Sequence, residues 1–354
     1  MAKVLMKGNE ALGAAAIKAG CRYFFGYPIT PQNEVPEYMA REMPKAGGVF
    51  VQAESEVAAI NMVYGAASTG ARVMTSSSSP GISLKQEGLS YIAAAELPCL
   101  IVNMMRSGPG LGGIQPSQAD YFQATRGGGN GDYYMPVFAP ASVQELVDLV
   151  PLSFDLADEY RTPVMILGDG MIGQIMESVE FHEAPPRPLP SKEDWITVGT
   201  GEKRSPHIVN TLRIVPEVLE KFLNGYFNKL ETIKQKECRW EEYGLEGAEI
   251  VLVAYGTTSR IVKSALASLA GEGIKAGLIR PITLWPYPQR AFDRIPPSAK
   301  ALMSVEMSAG QMLDDVKIAS AGRWPVHFFG RSGGMVPTPG EVAGAVKQLL
   351  GDRE

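Results

Sequence analysis

The sequence has few of the side chains that usually bind metal ions or clusters. Its 354 residues include only three cysteines and three histidines. No Cys-x-x-Cys spacing occurs, so neither a zinc site nor an iron–sulfur cluster is indicated on this chain. The odd number of cysteines, Cys21, Cys99 and Cys238, also argues against a disulfide framework. We therefore expect this chain to provide no metal ligands.

Long apolar runs and an excess of positive charge are also missing. No run approaches the roughly 18 apolar residues that indicate a membrane span. Lys7, Glu10 and Lys18 interrupt the alanine-rich segment 1–20, so we expect a cytoplasmic protein without a signal peptide. Lys and Arg total 33 against 38 Asp and Glu, which gives a net charge of −5. Because the sequence contains no cluster of Lys and Arg that could neutralise phosphates, nucleic acid is not expected as a partner.

Short apolar runs alternate with alanine- and glycine-rich stretches through the first half of the chain. This alternation predicts an α/β fold with a doubly wound parallel sheet. The predicted strands are 22–27, 49–52, 72–76, 98–104, 135–140 and 163–168, and the predicted helices are 8–20, 31–43, 55–70, 81–95 and 142–160.

A proline-rich stretch, 183–190, marks a change of character, and the alternation returns only at Ala248. We predict a first domain at 1–183, a linker with a helical excursion at 184–247, and a smaller α/β domain at 248–354. Within the excursion, an apolar stripe at helical spacing predicts a helix that lies across another subunit or domain. The stripe comprises Val218, Leu219, Phe222, Leu223, Tyr226, Phe227 and Leu230.

Two glycine-containing motifs suggest nucleotide or diphosphate binding, but each lacks part of its pattern. Segment 108–113 matches G-x-G-x-x-G, yet Pro109 and Pro116 leave no helix start for a pyrophosphate, so a flexible loop is favoured over a dinucleotide site. Segment 168–170, Gly-Asp-Gly, opens the diphosphate motif of thiamine-diphosphate enzymes. That motif also needs an asparagine roughly two dozen or more residues later, and the next one, Asn210, comes too late and lies beyond the proline-rich stretch. Asp169 is therefore interpreted as a turn residue at a strand end.

Three polar residues follow predicted strands at the edge where open parallel sheets bind ligands. Thr30 either caps a helix or belongs to a site. Glu56 precedes a nearly uncharged helix that we predict to be buried. Glu54 and Glu56 either favour the helix dipole, or Glu56 is a desolvated acid with a function. Arg106 either clamps a carboxylate or pairs with an acid at the sheet edge. The residues alone do not decide between these alternatives.

Four segments, in their order and spacing, resemble the alpha subunit of 2-oxoacid:ferredoxin oxidoreductases, especially the 2-oxoisovalerate and 2-oxoglutarate types with separate subunits. The resemblance covers nearly the full length. It implies a pyrimidine-binding thiamine-diphosphate domain followed by a transketolase-C-terminal-like domain. The segments are 27–31 (Tyr-Pro-Ile-Thr-Pro), 53–57 (Ala-Glu-Ser-Glu-Val), 106–109 (Arg-Ser-Gly-Pro) with 118–120 (Gln-Ala-Asp), and 305–312 (Val-Glu-Met-Ser-Ala-Gly-Gln-Met).

The resemblance assigns roles to residues of the first three segments. It implies that Glu56 hydrogen bonds to the aminopyrimidine ring of the cofactor. Thr30 and Arg106 would orient the oxoacid, which makes all three catalytic candidates. Ile29 would contact both substrate and cofactor. Tyr27 and Pro28 complete the cofactor-binding set.

The resemblance also implies cofactors and partners beyond this chain. The reaction would be oxidative decarboxylation of a 2-oxoacid to acyl-coenzyme A and CO₂, with electrons passed to ferredoxin. Thiamine diphosphate and Mg²⁺ would be shared with a beta subunit that supplies the diphosphate site and a cluster. Gamma and ferredoxin-like subunits would complete the hetero-oligomer. The alternatives are a chain of a lipoamide-linked 2-oxoacid dehydrogenase, a non-catalytic assembly subunit, and a dinucleotide dehydrogenase.

Overall fold

The computed structural model describes residues 3–182 and 187–351, so part of the predicted proline-rich linker lies outside the described residues. The elements of the first half are β1 Val4–Lys7, α1 Gly8–Lys18, β2 Tyr23–Gly26, α2 Glu34–Glu42, β3 Val49–Gln52, α3 Glu56–Ser68, β4 Val73–Ser77, α4 Pro80–Ala94, β5 Cys99–Met105, α5 Tyr121–Thr125, β6 Val137–Phe138, α6 Val143–Tyr160, β7 Pro163–Asp169, α7 Gly170–Gln174 and β8 Met176–Val179. Those of the second half are α8 Pro216–Lys236, β9 Trp240–Tyr243, β10 Ile250–Val253, α9 Gly256–Gly271, β11 Ala276–Pro281, β12 Thr283–Trp285, β13 Ala301–Glu306, α10 Met312–Ser320, β14 Val326–Gly330 and α11 Pro339–Gly351.

Seven strands form the first sheet, in the order β12-β6-β7-β5-β4-β2-β3. All neighbours except β12 and β6 pair in parallel. α1 packs against α6, and α3 packs against α4. The central strands β4, β5 and β7 are buried along their whole length, as expected for a parallel sheet covered by helices. The predicted α/β fold with a doubly wound parallel sheet is confirmed.

The second sheet has five strands in the order β14-β13-β10-β11-β9. Strands β14, β13, β10 and β11 pair in parallel, and β9 adds an antiparallel edge. α9 and α11 pack together and, with the sheet, enclose a second hydrophobic core. Because β9 lies within the segment predicted as linker and excursion, the second sheet begins before Ala248. The predicted domain division itself stays a prediction.

Two short pairings in the structure have no counterpart in the sequence prediction. β1 and β8 form a two-stranded antiparallel sheet, although they lie at opposite ends of the first domain. β12 leaves the second half of the chain and pairs with β6 at the edge of the first sheet. Each of these strands has only two to four residues. Because the partners in each pairing lie far apart in the sequence, local periodicity cannot predict which strands pair.

The predicted helical excursion is α8, and its C-terminal half packs on the first domain of its own chain. Tyr226, Leu230 and Ile233 are buried in the main core. Lys229 Nζ donates a hydrogen bond to Glu96 Oε1 at 2.7 Å. The N-terminal half is different, since Val218 is more than half exposed. Of the two predicted possibilities, contact with another subunit or with another domain, the structure shows contact with another part of the same chain.

Gln118 connects the two halves of the chain. Its side-chain amide donates to the carbonyl oxygen of Tyr255 at 2.9 Å. Its Oε1 accepts from Thr258 Oγ1 at 2.7 Å and from the Met307 N–H at 2.9 Å. All four residues are buried, so the side chain of Gln118 serves as a structural contact between the two halves.

Glu306 has a structural role in segment 305–312, the last of the four segments that carry the family resemblance. It has no exposed surface, and its two carboxylate oxygens accept four hydrogen bonds, from Ser304, Ser308 and the first N–H groups of α10. A buried acid that is satisfied in this way fixes the start of a helix. In the described part of the chain, no helix is both long and apolar enough to cross a membrane.

Candidate functional site

The sequence-predicted site residues come together at one edge of the first sheet. β5, β4, β2 and β3 are neighbours in that order, and all four run in parallel. Their carboxyl ends lead into the segments 27–30, 53–56, 77–81 and 106. Thr30, Glu56 and Arg106 therefore lie at the edge where ligands bind in open α/β sheets.

Arg106 is 7% exposed and is oriented by carbonyl groups. Its Nη1 donates to the Thr30 carbonyl at 3.0 Å, and its Nη2 donates to the Leu111 carbonyl at 3.1 Å. Its buried Nε has no hydrogen-bond partner, and no acid lies within ion-pair distance, among residues 3–182 and 187–351. The alternative of an ion pair at the sheet edge is therefore wrong. The guanidinium is held in place with its charge uncompensated, which suits a ligand carboxylate.

Thr30 does not cap a helix, because α2 begins only at Glu34. The carbonyl of Pro31 accepts hydrogen bonds from Asn9 Nδ2 and Gln174 Nε2, both at 2.9 Å. Since side chains of α1 and α7 occupy this carbonyl, the helix starts later than the predicted Pro31. Thr30 is left half-buried in the turn, beside the guanidinium of Arg106.

Glu56 is the first residue of α3, and its side chain is 6% exposed. Ser55 caps the helix by accepting the Ala58 N–H at 3.2 Å. The Glu56 carboxylate has no hydrogen bond or ion pair with any residue in the described ranges. A nearly buried carboxylate without a partner is costly, so a ligand is expected to complete it. The neighbouring Glu54 is exposed.

The rest of α3 is less buried than predicted. Val57, Asn61 and Gly65 lie four residues apart and form an exposed stripe along the helix. Only the opposite side, with Ile60 and Val63, belongs to the core. The helix is therefore buried on one side only, and its lack of charged residues does not indicate burial all round.

The turn between β4 and α4 is held in an uncommon backbone conformation. Ser79 has φ of 28°, which is unfavourable for a residue with a side chain. Its Oγ donates to Asp120 Oδ2 at 2.6 Å and accepts the Arg106 N–H at 3.0 Å, while its own N–H donates to Asn103 Oδ1 at 3.0 Å. Burial raises the pKa of the Asp120 carboxyl above its usual range. This network fixes the turn next to the site.

The same turn presents unused polar groups. The hydroxyls of Ser77 and Ser78 are buried and have no hydrogen-bond partner in the part of the chain that the structure describes. A Cβ on Gly81 would lie 2.6 Å from Glu56 Oε1 and would collide with Ser77 Oγ. Gly81 therefore leaves the space in which Glu56 and Ser77 approach each other. Unpaired buried groups of this kind usually mark a ligand or water site.

Tyr27, Pro28 and Ile29 lie at the rim of the site, directly after β2. Tyr27 and Pro28 are exposed and Ile29 is half-buried. Their predicted contacts with cofactor and substrate stay predictions.

The glycine loop does not form a dinucleotide site. After Gly113 the chain continues without a helix until Tyr121, so no helix N-terminus is available for a pyrophosphate. Leu111, in the middle of the loop, instead contributes the carbonyl that orients Arg106. Asp169 also has a structural role, since it caps α7 by accepting the N–H groups of Met171 and Ile172.

Sequence reasoning missed three residues at this edge: Ser79, Asp120 as its partner, and Lys85. Lys85 lies in α4 and has no exposed surface. A lysine followed by Gln86 and Glu87 is typical of a solvated helix face, so its burial gives no sequence signal. Asp120 and Ser79 lie 41 positions apart, and only the fold shows that they are in contact.

Comparison with known proteins identifies the family to which this chain belongs. Residues 14–196 match the family described as pyruvate flavodoxin/ferredoxin oxidoreductase, thiamine diphosphate-binding, and residues 248–342 match core domain II of pyruvate:ferredoxin oxidoreductase. Ketoisovalerate oxidoreductase subunit VorB of Methanothermobacter marburgensis is 47% identical over 99% of both chains. 2-Oxoglutarate synthase subunit KorA of Methanocaldococcus jannaschii is 36% identical over 96% of this chain and 98% of its own.

Two solved structures agree with these matches. The 2-oxoglutarate:ferredoxin oxidoreductase of Magnetococcus marinus, with 2-oxoglutarate, coenzyme A and succinyl-CoA bound, superposes with a TM-score of 0.86 at 29% identity. That alignment covers 98% of this chain, which spans 65% of the length of the solved one. A split-gene transketolase shares the fold, with a TM-score of 0.57 at 15% identity. The chain belongs to the 2-oxoacid:ferredoxin oxidoreductase family.

Proposed function

We propose that this chain is the alpha subunit of a 2-oxoacid:ferredoxin oxidoreductase and forms the aminopyrimidine side of its thiamine-diphosphate site. The enzyme converts a 2-oxoacid and coenzyme A to acyl-coenzyme A and CO₂ and passes electrons to ferredoxin. The observation that carries this proposal is Glu56, a carboxylate at the ligand-binding edge that is 6% exposed and has no partner in the described part of the chain. A ring nitrogen of the cofactor is the partner that the family chemistry supplies.

Glu56 is positioned to hold and return a proton at that ring nitrogen. It stands at the first position of α3, where the helix fixes its backbone and Gly81 leaves room for its carboxylate. When bound, thiamine diphosphate supplies a carbon nucleophile that adds to the oxo group and stabilises the charge left by decarboxylation. Glu56 acts as the general acid and base that supports this chemistry.

Arg106 and Thr30 bind the oxoacid. The guanidinium is held by two carbonyls, is nearly buried and keeps Nε unpaired within residues 3–182 and 187–351. A carboxylate of the substrate can therefore pair with it without breaking an ion pair of the protein. Fixing the carboxylate there places the neighbouring oxo carbon for reaction.

A partner subunit supplies the diphosphate and Mg²⁺ side of the site, and clusters are on partner subunits. The features that support this division belong to the described ranges. Asp169 of the Gly-Asp-Gly segment already caps α7, and no group of three potential metal ligands is found. Exposed apolar side chains next to the site, Val57, Leu84, Leu111 and Ile114, suit a subunit contact.

The preferred substrate is a branched-chain 2-oxoacid. The ketoisovalerate oxidoreductase subunits are 46–47% identical to this chain, and the 2-oxoglutarate synthase subunits are 35–39% identical. The test is steady-state turnover of the co-purified complex with 2-oxoisovalerate, 2-oxoglutarate and pyruvate, with ferredoxin as acceptor. A higher kcat/KM with 2-oxoisovalerate is expected. Turnover with lipoamide and not with ferredoxin would contradict the proposal.

A further inference from the structure

Lys85 is a buried cation without an acidic partner at ion-pair distance in the part of the chain that the structure describes. It has no exposed surface. Its ammonium donates to Thr75 Oγ1 at 2.8 Å and to the carbonyl of Ser76 at 3.0 Å, and both acceptors are neutral. Lysine is almost never fully buried unless it is paired. A neutral, well-packed side chain at such a position would usually cost less free energy of folding.

The fold places this cation directly beneath Glu56. Gly81 and Lys85 are one turn apart on the same face of α4. Thr75 and Ser77 are two residues apart on the same face of β4. Lys85 contacts Thr75, while the gap at Gly81 is shared by Ser77 Oγ and Glu56 Oε1. The ammonium therefore lies one layer deeper than the carboxylate, on the same side of the sheet.

Glu56 is the charged group that acts on Lys85. α3 and β7 pack against α4, and Lys85 of α4 hydrogen bonds to Thr75 of β4. The titratable groups from these elements and the following loop are Glu56 and Tyr64 of α3, Asp169 at the end of β7, and Tyr133, which contacts the neighbouring Gln86; α4 itself also carries Glu87 and Tyr91. Burial lowers the pKa of Lys85 to about 7, and the negative charge of Glu56 opposes this shift. Lys85 and Glu56 are two buried, opposite charges, and each lacks an ion-pair partner among the described residues.

We propose that Lys85 is a positioning residue that provides the counter-charge for Glu56 at the site. The catalytic importance of this effect rests on the role proposed above for Glu56. The electrostatic coupling between the two residues does not depend on that role and can be measured by itself.

The first test is the pH profile of the assembled oxidoreductase with Lys85→Met, which keeps length and removes charge. Burial lowers the pKa of Lys85 to about 7, so the wild-type counter-charge is lost as the pH rises through that value. The fall of kcat/KM that follows this loss should be absent from the profile of Lys85→Met, so the profile changes its shape and not only its height. A profile that is scaled down but unchanged in shape would assign Lys85 a merely structural role and overturn the proposal. Lys85→Gln, shorter and also neutral, is measured beside it in case Lys85→Met does not assemble.

The second test is a double-mutant cycle of melting temperature in the same complex, which needs no turnover. Lys85→Met should lower the melting temperature by about 2 °C when Glu56 is present. In the Glu56→Gln background the same change should have no effect or raise the melting temperature, because the cation is then uncompensated. Additive effects would contradict the proposal. Full turnover of Glu56→Gln alone would instead contradict the role of Glu56 and leave the measured coupling standing.

Discussion

Glu56 and Arg106 are opposite charges at one sheet edge, and neither forms an ion pair within the described part of the chain. Each is held by its surroundings, Glu56 at the start of α3 and Arg106 by two carbonyls. Side chains held in this way are ready to meet complementary groups on ligands at little cost in conformational entropy. The site is therefore preorganised for the ring nitrogen and the carboxylate that we propose as its ligands.

Glu56→Gln should reduce oxoacid-dependent ferredoxin reduction by about 100-fold or more, because an amide cannot exchange the proton. Glu54→Gln is the matched control, since Glu54 is exposed and only two residues away. Steady-state turnover of the assembled complex measures both. Equal losses from the two changes would indicate a structural pair and not a catalytic acid.

Arg106→Lys should raise the oxoacid KM by roughly tenfold, because lysine cannot reproduce the planar fork that the Thr30 and Leu111 carbonyls orient. Cofactor binding should change less. Arg260→Lys serves as the control, since Arg260 forms a partly exposed pair with Glu177. Loss of affinity for coenzyme A with an unchanged oxoacid KM would place Arg106 in the acyl-transfer half of the reaction.

At the scale of elements, the turn from β4 to α4 decides the shape of the site. Ser79 is held at positive φ by Asp120, Asn103 and Arg106, and this places Ser77 and Gly81 beside Glu56. The turn depends on contacts from β5 and from the loop that precedes α5, so the site is built by four adjacent strand ends.

Gly81→Ala should displace Glu56, because the added Cβ would lie 2.6 Å from its Oε1 and closer still to Ser77 Oγ. We expect turnover to fall by roughly tenfold, and we expect the melting temperature to decrease because overpacking destabilises a closely packed site. Gly65→Ala, in the exposed stripe of α3, has open space around the added Cβ and should stabilise by about 0.5–1 kcal/mol. Thermal unfolding and turnover of the two variants are compared. Unchanged turnover in Gly81→Ala would mean that Glu56 does not need its observed position.

The elements that the sequence predicts well are the long ones. Alternating apolar runs indicate the central parallel strands, and parallel strands bring their carboxyl ends to one edge, so the sequence alone suffices to group Thr30, Glu56 and Arg106. Prediction fails where distant contacts override local pattern. The carbonyl of Pro31 is used by side chains of α1 and α7, which delays α2. β12 joins the first sheet from far along the chain. The burial of Lys85 depends on the packing of α3, α4 and β4.

At the scale of the molecule, we propose that the chain provides one side of a ligand site, and it exposes apolar groups around that edge. Leu84 and Leu111 are more than half exposed beside the site. The three cysteines are free, and Cys21 and Cys99 are buried. We predict that the chain purified alone is colourless, because three separate cysteines cannot hold a four-iron cluster. A visible absorption band typical of iron–sulfur proteins in the purified chain would contradict this.

The most direct test of the divided site is calorimetric titration of thiamine diphosphate with Mg²⁺ into the chain alone and into its complex with the beta subunit. We predict weak binding to the chain alone, since the contact proposed for Glu56 is with the uncharged pyrimidine ring and Asp169 is occupied at the start of α7. Adding the beta subunit should give tight, magnesium-dependent binding. Tight stoichiometric binding to the chain alone would contradict the account and would make Gly168-Asp169-Gly170 a diphosphate site.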